Sequence, residues 1–184
     1  MRFRPSLLLA LLLASLLAAC GGAGAGAPNL PPLRTVERVD LNRYLGTWFE
    51  IASFPQRFQK GCTATQANYS LRPDGDIAVR NRCNKGGLNG PESSVEGKAR
   101  VVDKATNAKL EVSFFWPFWG DYWVIDLGAD YEFAVVGHPG RDYLWILSRT
   151  PTLSAATYDA ILDRLRAQDY DLSRLQRTLQ VKAE

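Results

Sequence analysis

A single histidine, His138, and three cysteines in 184 residues leave too few soft ligands for a zinc centre built from Cys and His alone. Excess charge is equally scarce: 22 basic against 19 acidic residues give +3, and Arg2 and Arg4 of the leader supply two of those charges. A nucleic-acid binder would show a basic face or run, so nucleic acid is not expected as a partner. The chain also lacks a Gly-x-Ser-x-Gly elbow, a His/Glu metal spacing and a glycine-rich phosphate loop. No metal and no cofactor are expected. What is plentiful is aromatic surface: five Trp, seven Tyr and eight Phe predict a ring-rich core, or a cavity for an apolar guest.

Residues 1–20 read MRFRPSLLLALLLASLLAAC, with two arginines, an apolar stretch and then small residues. This is the pattern of a secretory signal peptide. A transmembrane anchor is the alternative, but the apolar run is short of the roughly 20 residues needed to cross a bilayer as a helix. Leu17-Ala18-Ala19-Cys20 resembles the bacterial lipoprotein box, in which the cysteine is acylated and becomes the first mature residue. The resemblance implies a lipid anchor at Cys20, and Gly21 after it implies the outer membrane, with the domain in the periplasm. Residues 20–34, rich in Gly and Ala and then in Pro, are expected to form a lipidated flexible tether after a signal peptide over 1–19. One domain then occupies 35–184.

Between about residues 47 and 149 the pattern is short alternating runs separated by turn signals, which indicates an all-β domain. Strands are expected over 63–71, 76–83, 93–102, 108–115, 122–127, 131–136 and 143–148, with Arg72-Pro73-Asp74-Gly75 turning the first hairpin. With the run after Thr47 this makes about eight antiparallel strands. Closing them into an up-and-down barrel buries one face and removes the edges. After Pro151 the period changes. Ser154 is placed to cap an amphipathic helix reaching about Gln168, with Tyr158, Ile161, Leu162 and Leu165 on the face that packs outside the barrel. Residues 175–181 can add a short strand.

Three short motifs stand in order along the domain. They are Gly46-Thr47-Trp48 in YLGTWFEIA, Ala129-Asp130-Tyr131, and Leu147-Ser148-Arg149 in RDYLWILSRTP. Together they resemble the three signatures of the lipocalin family, with Ala129 standing where the family has Thr. The wider wording is similar to the bacterial branch, akin to apolipoprotein D. The resemblance implies an eight-stranded barrel with a C-terminal helix outside, and fold roles for Gly46, Trp48, Asp130, Tyr131 and Arg149. A physical role for two of them stands without the family name. A barrel of this size needs a plug at one end, and an indole from the first strand with a guanidinium stacked on it supplies one.

Cys62 and Cys83 are the remaining thiols, and an even pair in an oxidising compartment points to a disulfide. A hairpin centred on Asp74 nevertheless puts Thr65, not Cys62, opposite Cys83. A bulge, or a loop position for Cys62, is therefore required; two free buried thiols are the alternative.

Parity supplies the cavity. If Tyr69, Val79 and Val112 face inward, Asn81, Phe114, Tyr122, Val124, Phe133, Val135, Tyr143 and Trp145 are their companions. That lining suits an acyl chain or small aromatic better than a sugar or nucleotide. A barrel filled by its own rings is the bland alternative. Phe54 and Phe58 are expected at the cavity mouth, as are Trp116, Phe118 and Trp119 of the aromatic turn; Arg57, Lys60 and Arg82 are candidate polar partners there. His138 sits in a turn sequence and reads as solvated, and Asp121, Asp126 and Glu132 are catalytic candidates only by default. The expected function is that of a non-enzymatic lipoprotein holding a fatty acid or lysophospholipid, for storage or transport in the envelope. Two alternatives are a scaffold using the aromatic loop and, less favoured, a lipid-modifying enzyme. A homodimer stays open.

Overall fold

A computed structural model describes residues 30–181; the expected signal peptide, Cys20 and most of the tether lie outside the described residues. After one turn of helix, α1 (Leu41–Tyr44), eight strands follow: β1 (Gly46–Ser53), β2 (Cys62–Leu71), β3 (Ile77–Lys85), β4 (Glu92–Val101), β5 (Lys109–Phe115), β6 (Phe118–Leu127), β7 (Phe133–Gly137) and β8 (Leu144–Ser148). Each pairs antiparallel with the next, β8 pairs with β1, and β1 pairs with β2, which closes the ring. Helix α2 (Ala155–Arg166) and a two-residue strand, β9 (Gln176–Arg177), complete the chain. The barrel and the external helix are those expected. Strand β6 starts four residues early because Phe118 already pairs with Phe115, leaving Trp116 and Pro117 alone as the turn.

The connections alternate between two ends. Loops 54–61, 86–91, 116–117 and 138–143 share one end, and loops 72–76, 102–108 and 128–132 share the other with α1. Two apolar cores result. One fills the lower interior with Trp48, Tyr69, Val79, Leu110, Val124 and Leu147 among others. The second lies outside the wall, where α2 lays Tyr158, Ile161 and Leu165 on Ile51, Phe54, Ile125, Phe133, Val135 and Ile146. The Ser154 hydroxyl caps α2 by accepting from Thr157 N at 3.0 Å, and Arg164 ties the helix to Asp126 of β6 at 2.6 Å.

Pro31 to Arg34 belong to this body, not to a free tether. Leu33 is buried in the outer core, Arg141 Nη2 donates to Pro31 O at 2.7 Å, and Arg34 N donates to the Gln168 side chain. The Gly/Ala/Pro composition drew the boundary too late because it gave one Leu no weight.

The C-terminal segment is a piece of the wall. Where β1 and β2 splay apart, residues 176–180 fill the gap: β9 pairs with Ala52 and Ser53, Thr178 N donates to Ile51 O, and Ala64 N donates to Leu179 O. The Gln180 amide bridges Glu50 O at 2.7 Å and Thr65 O at 2.9 Å, across the seam.

The disulfide Cys62–Cys83 is present, and the register explains how. Leu71 to Gln66 pair with Ile77 to Arg82 as the turn dictates, but the pairing shifts between Thr63 and Gln66, so that Thr63 meets Asn84 and Cys62 meets Lys85. This β-bulge, with Ala64 at φ 50°, brings Cys62 within a 5.4 Å Cα separation of Cys83. Replacing both cysteines by Ser should lower the unfolding free energy by roughly 3 kcal/mol for a closed loop of this length. Urea midpoints with and without reductant read this, and equal midpoints would mean the bulge holds the seam unaided.

Candidate functional site

The lower end of the barrel is sealed by the three motifs together. Trp48 is fully buried on β1, its Nε1 donating to Tyr44 O at 2.8 Å, and the Arg149 guanidinium lies 3.7 Å from the indole centroid. Arg149 also donates to Thr47 O and Arg43 O, binding the end of β8 to both β1 and α1. Gly46 has φ +92°, and a Cβ there would sit 3.4 Å from Arg149 Nη1, so a side chain would strain the backbone and crowd the guanidinium. Tyr131 completes the plug: its hydroxyl accepts from Asp40 N at 2.7 Å, and Arg43 stacks over its ring at 4.1 Å. Asp130 stays at the surface, 4.0 Å from Arg43.

Above the plug, the wall brings together most of the residues expected there. Tyr69, Val79 and Val124 are buried in the interior core, with Val112, Phe114, Tyr122 and Trp145 packed against it and only partly buried. Asn81 shares the inward face of β3 with Val79, and Tyr143 stacks on Trp145 at the rim, 5.9 Å between centroids. Opposite Asn81, Val95 of β4 is inward-facing yet 39% exposed. The upper interior is therefore open to solvent, while the lower interior is packed.

Five expected residues are elsewhere. Phe133 and Val135 face outward beneath α2, and Ala134 and Val136 take the inward places. All of β7 is buried, so hydropathy gave it no phase, and a bulge between Val124 and Asp126 shifts its register to β6. Phe54 is fully buried in the outer core under Arg174, because a bulge between Glu50 and Ala52 reverses the end of β1. Trp119 lies on the outer face, with Arg100 stacked over it at 4.1 Å. Arg82 is likewise outside, bound to Gln66 and Glu92. Phe58, Trp116 and Phe118 do stand at the open end, strongly exposed.

The interior also contains a polar patch that parity alone did not assemble. The hydroxyls of Tyr44 and Tyr69 both meet that of Tyr122, at 2.8 and 2.9 Å. Two bonds among three hydroxyls leave one O–H uncommitted. Thr65 Oγ1 and Asn81 Oδ1 are buried without a partner among the described residues. Burial pushes Tyr69 up to about 12 and Tyr44 and Tyr122 well above the ordinary phenol value; for Tyr122 the facing hydroxyls Tyr44 and Tyr69 add to the rise.

At the rim, a 3-10 turn at Arg57–Gln59 folds back on the opening. Gln59 joins two walls: its Oε1 accepts from Trp145 Nε1 at 3.1 Å and its Nε2 donates to Glu50 Oε2 at 2.7 Å. Glu50 is buried, and its other oxygen accepts from Ser53 and Thr178. Beside it a cleft of ≈ 510 Å³ opens between loop 54–61 and residues 176–179, with Arg57 and Lys60 in its lining. Neither cation has an ion-pair partner among the described residues. Glu50 escaped sequence reasoning although it is two residues past Trp48 and so on the same face; Gln59 and Thr178 carry no periodic signal.

The three acids that were catalytic candidates by default all lie on the outer surface. Asp126 pairs with Arg164, Asp121 is 3.6 Å from His138, and Glu132 accepts from Asp130 N. His138 itself accepts from Gly140 N within its turn.

The tyrosine cluster predicts an alkaline transition. The folded pKa values lie above the unfolded value of 10.0, so the stabilisation is complete below pH 10 and is lost as pH rises through about 12. Over that window each such tyrosine should cost about 1.4 kcal/mol per pH unit. Tyrosinate absorbance followed with far-UV circular dichroism should show these phenols ionising only as the barrel opens; ionisation of all seven ahead of unfolding would refute it.

A lipocalin-like domain family matches residues 39–180. The outer membrane lipoprotein Blc of Escherichia coli K12 is 45% identical over 149 residues, covering 78% of this chain and 82% of that protein. Temperature-induced lipocalin-1 of Arabidopsis thaliana is 41% identical over 157 residues (80% and 83%), and apolipoprotein D of Macaca fascicularis 36% over 181 (90% and 92%). Among solved structures, insecticyanin of the tobacco hornworm Manduca sexta superposes with a TM-score of 0.64 at 23% identity, over 81% of this chain and 85% of that one, which is a likeness of fold. On the matched family, the relatives and the plugged eight-stranded barrel together, the chain belongs to the lipocalin family.

Proposed function

We propose that this chain is a lipid-binding lipoprotein of the cell envelope, acylated at Cys20, held in the outer membrane with its domain in the periplasm, and carrying a fatty acid or lysophospholipid in the barrel for storage or transport. The observation that carries this reading is the contrast inside the barrel. Inward residues are packed at the plugged end, whereas Val112, Phe114 and Trp145 higher up are only partly buried, and Val95 on the neighbouring wall is well exposed. A barrel filled by its own rings would bury all of them. An apolar chamber open at one end suits an acyl chain entering tail first.

The polar groups fit an amphipathic guest. The unpaired Asn81 Oδ1 and Thr65 Oγ1 and the spare tyrosine hydroxyl leave hydrogen-bonding capacity deep in the wall, for water or a ligand oxygen. Arg57 and Lys60 at the rim suit a carboxylate or phosphate. The reading is of a binder and not an enzyme, since the candidate acids face away from the chamber. The lipoprotein and outer-membrane parts rest on the Leu17-Ala18-Ala19-Cys20 motif and on the similarity to the outer membrane lipoprotein of Escherichia coli.

Native mass spectrometry and lipid extraction on residues 30–184, purified from bacteria without detergent, test the reading. A stoichiometric lysophospholipid or fatty acid is expected, with Phe114→Ala and Trp145→Ala each weakening binding by about tenfold as roughly 1–2 kcal/mol of apolar contact is lost. An empty domain that refuses fatty acids in a tryptophan-quenching titration would overturn it and put the scaffold reading ahead.

A further inference from the structure

Large apolar side chains are unevenly shared between the two ends of the barrel. Phe115, Trp116 and Phe118 project from the β5–β6 turn, Trp116 being 83% and Phe118 75% exposed. Phe58, on loop 54–61, is exposed at the same end. Among the described residues the plugged end offers the separated Leu71 and Val102. Contiguous exposed rings of this kind mark a surface that meets something apolar.

Two further observations say what it meets. From Val39, bonded to Thr106 O at the plugged end, the chain runs back up the barrel to Pro31, held by Arg141 in the 138–143 loop at the open end. The eleven residues from Cys20 to Pro31 span at most about 35–40 Å. An anchor at Cys20 therefore pulls on the open end. Cations are available at the same end as the exposed rings. At the open end Arg57, Lys60, Lys85 and Arg174 have no ion-pair partner among the described residues.

We propose that the open end of the barrel is a membrane-docking surface, with Phe115, Trp116 and Phe118 seated at the headgroup level of an anionic bilayer and the chamber mouth turned toward the lipid. Tryptophan favours that depth because its ring is apolar and its N–H is not, and the flanking cations add attraction to anionic headgroups. The orientation rests on the anchored reading above; the affinity of the rim for lipid does not.

The test uses residues 30–184, which contain every strand, both cores and the disulfide, with vesicles of equimolar phosphatidylcholine and phosphatidylglycerol. The domain is expected to sediment with the vesicles, less so at high salt, and its tryptophan emission to be quenched by brominated acyl chains. W116S/F118S should reduce partitioning by about tenfold or more and abolish most of the quenching, while L71S/V102S at the other end should change neither. Equal circular dichroism and melting curves establish that both variants fold. No sedimentation of the parent domain, or equal losses in the two variants, overturns the proposal, as does a tip that captures protein and ignores vesicles. Lipid loading measured without vesicles separates the two readings: a loaded domain that ignores bilayers sinks the docking surface alone, and an empty domain that docks sinks the carrier alone.

Discussion

The stack of Arg149 on Trp48 is the contact on which the rest of this protein depends. A barrel of eight strands is just wide enough for side chains to fill or for one small guest, so one end must be closed by bulk if the other is to stay open. The indole supplies the bulk, while the guanidinium covers it and spends its donors on two backbone carbonyls that would otherwise face the opening. Those carbonyls belong to β1 and to α1, so the same side chain fixes the first strand, the last barrel strand and the N-terminal turn relative to one another. Everything above, including the tyrosine hydroxyls and the rim, is positioned from that fixed base.

The polar interior follows from the same geometry. A closed sheet pairs most of its own backbone, so polar side chains placed inside turn largely to one another. Tyr44, Tyr69 and Tyr122 do this for one another, and Glu50 does it with Ser53, Thr178 and Gln59. Glu50 makes no ion pair among the described residues, and its hydrogen bonds come from neutral donors. They come from the first strand, the mouth loop and the tail, which makes that single side chain the junction of three otherwise separate segments.

How much of this could be read beforehand depends on where strands carry a phase. In β3 buried and less buried positions alternate at first, and polar and apolar letters alternate in β5, so the inward places of Tyr69, Val79 and Phe114 followed from counting by twos, while that of Trp145 followed from sharing the parity of Arg149. β7 is apolar on both faces, since the barrel interior lies on one side and α2 on the other, so its letters could not say that Ala134 and not Phe133 faces in. Bulges caused the remaining errors. A bulge is one extra residue with no compositional mark, and each reverses every side chain beyond it, as happened to Phe54. The bulge in β2 was the exception, because two cysteines needed it. The junction at Glu50 was half legible: its face was, but partners from residues 59 and 178 depend on how distant segments return, which local pattern does not carry.

The seam between β1 and β2 bears on how the protein comes into being. Its upper part is closed not by the two strands themselves but by residues 176–180, with the Gln180 amide spanning both edges. A nascent chain emerging from its N-terminus can form every hairpin from β2 to β8 and still possess a gutter instead of a vessel. Only when that segment arrives does the wall become continuous. Without residues 176–180 the strand pairings from β2 to β8 would remain while the wall beside β1 stood open.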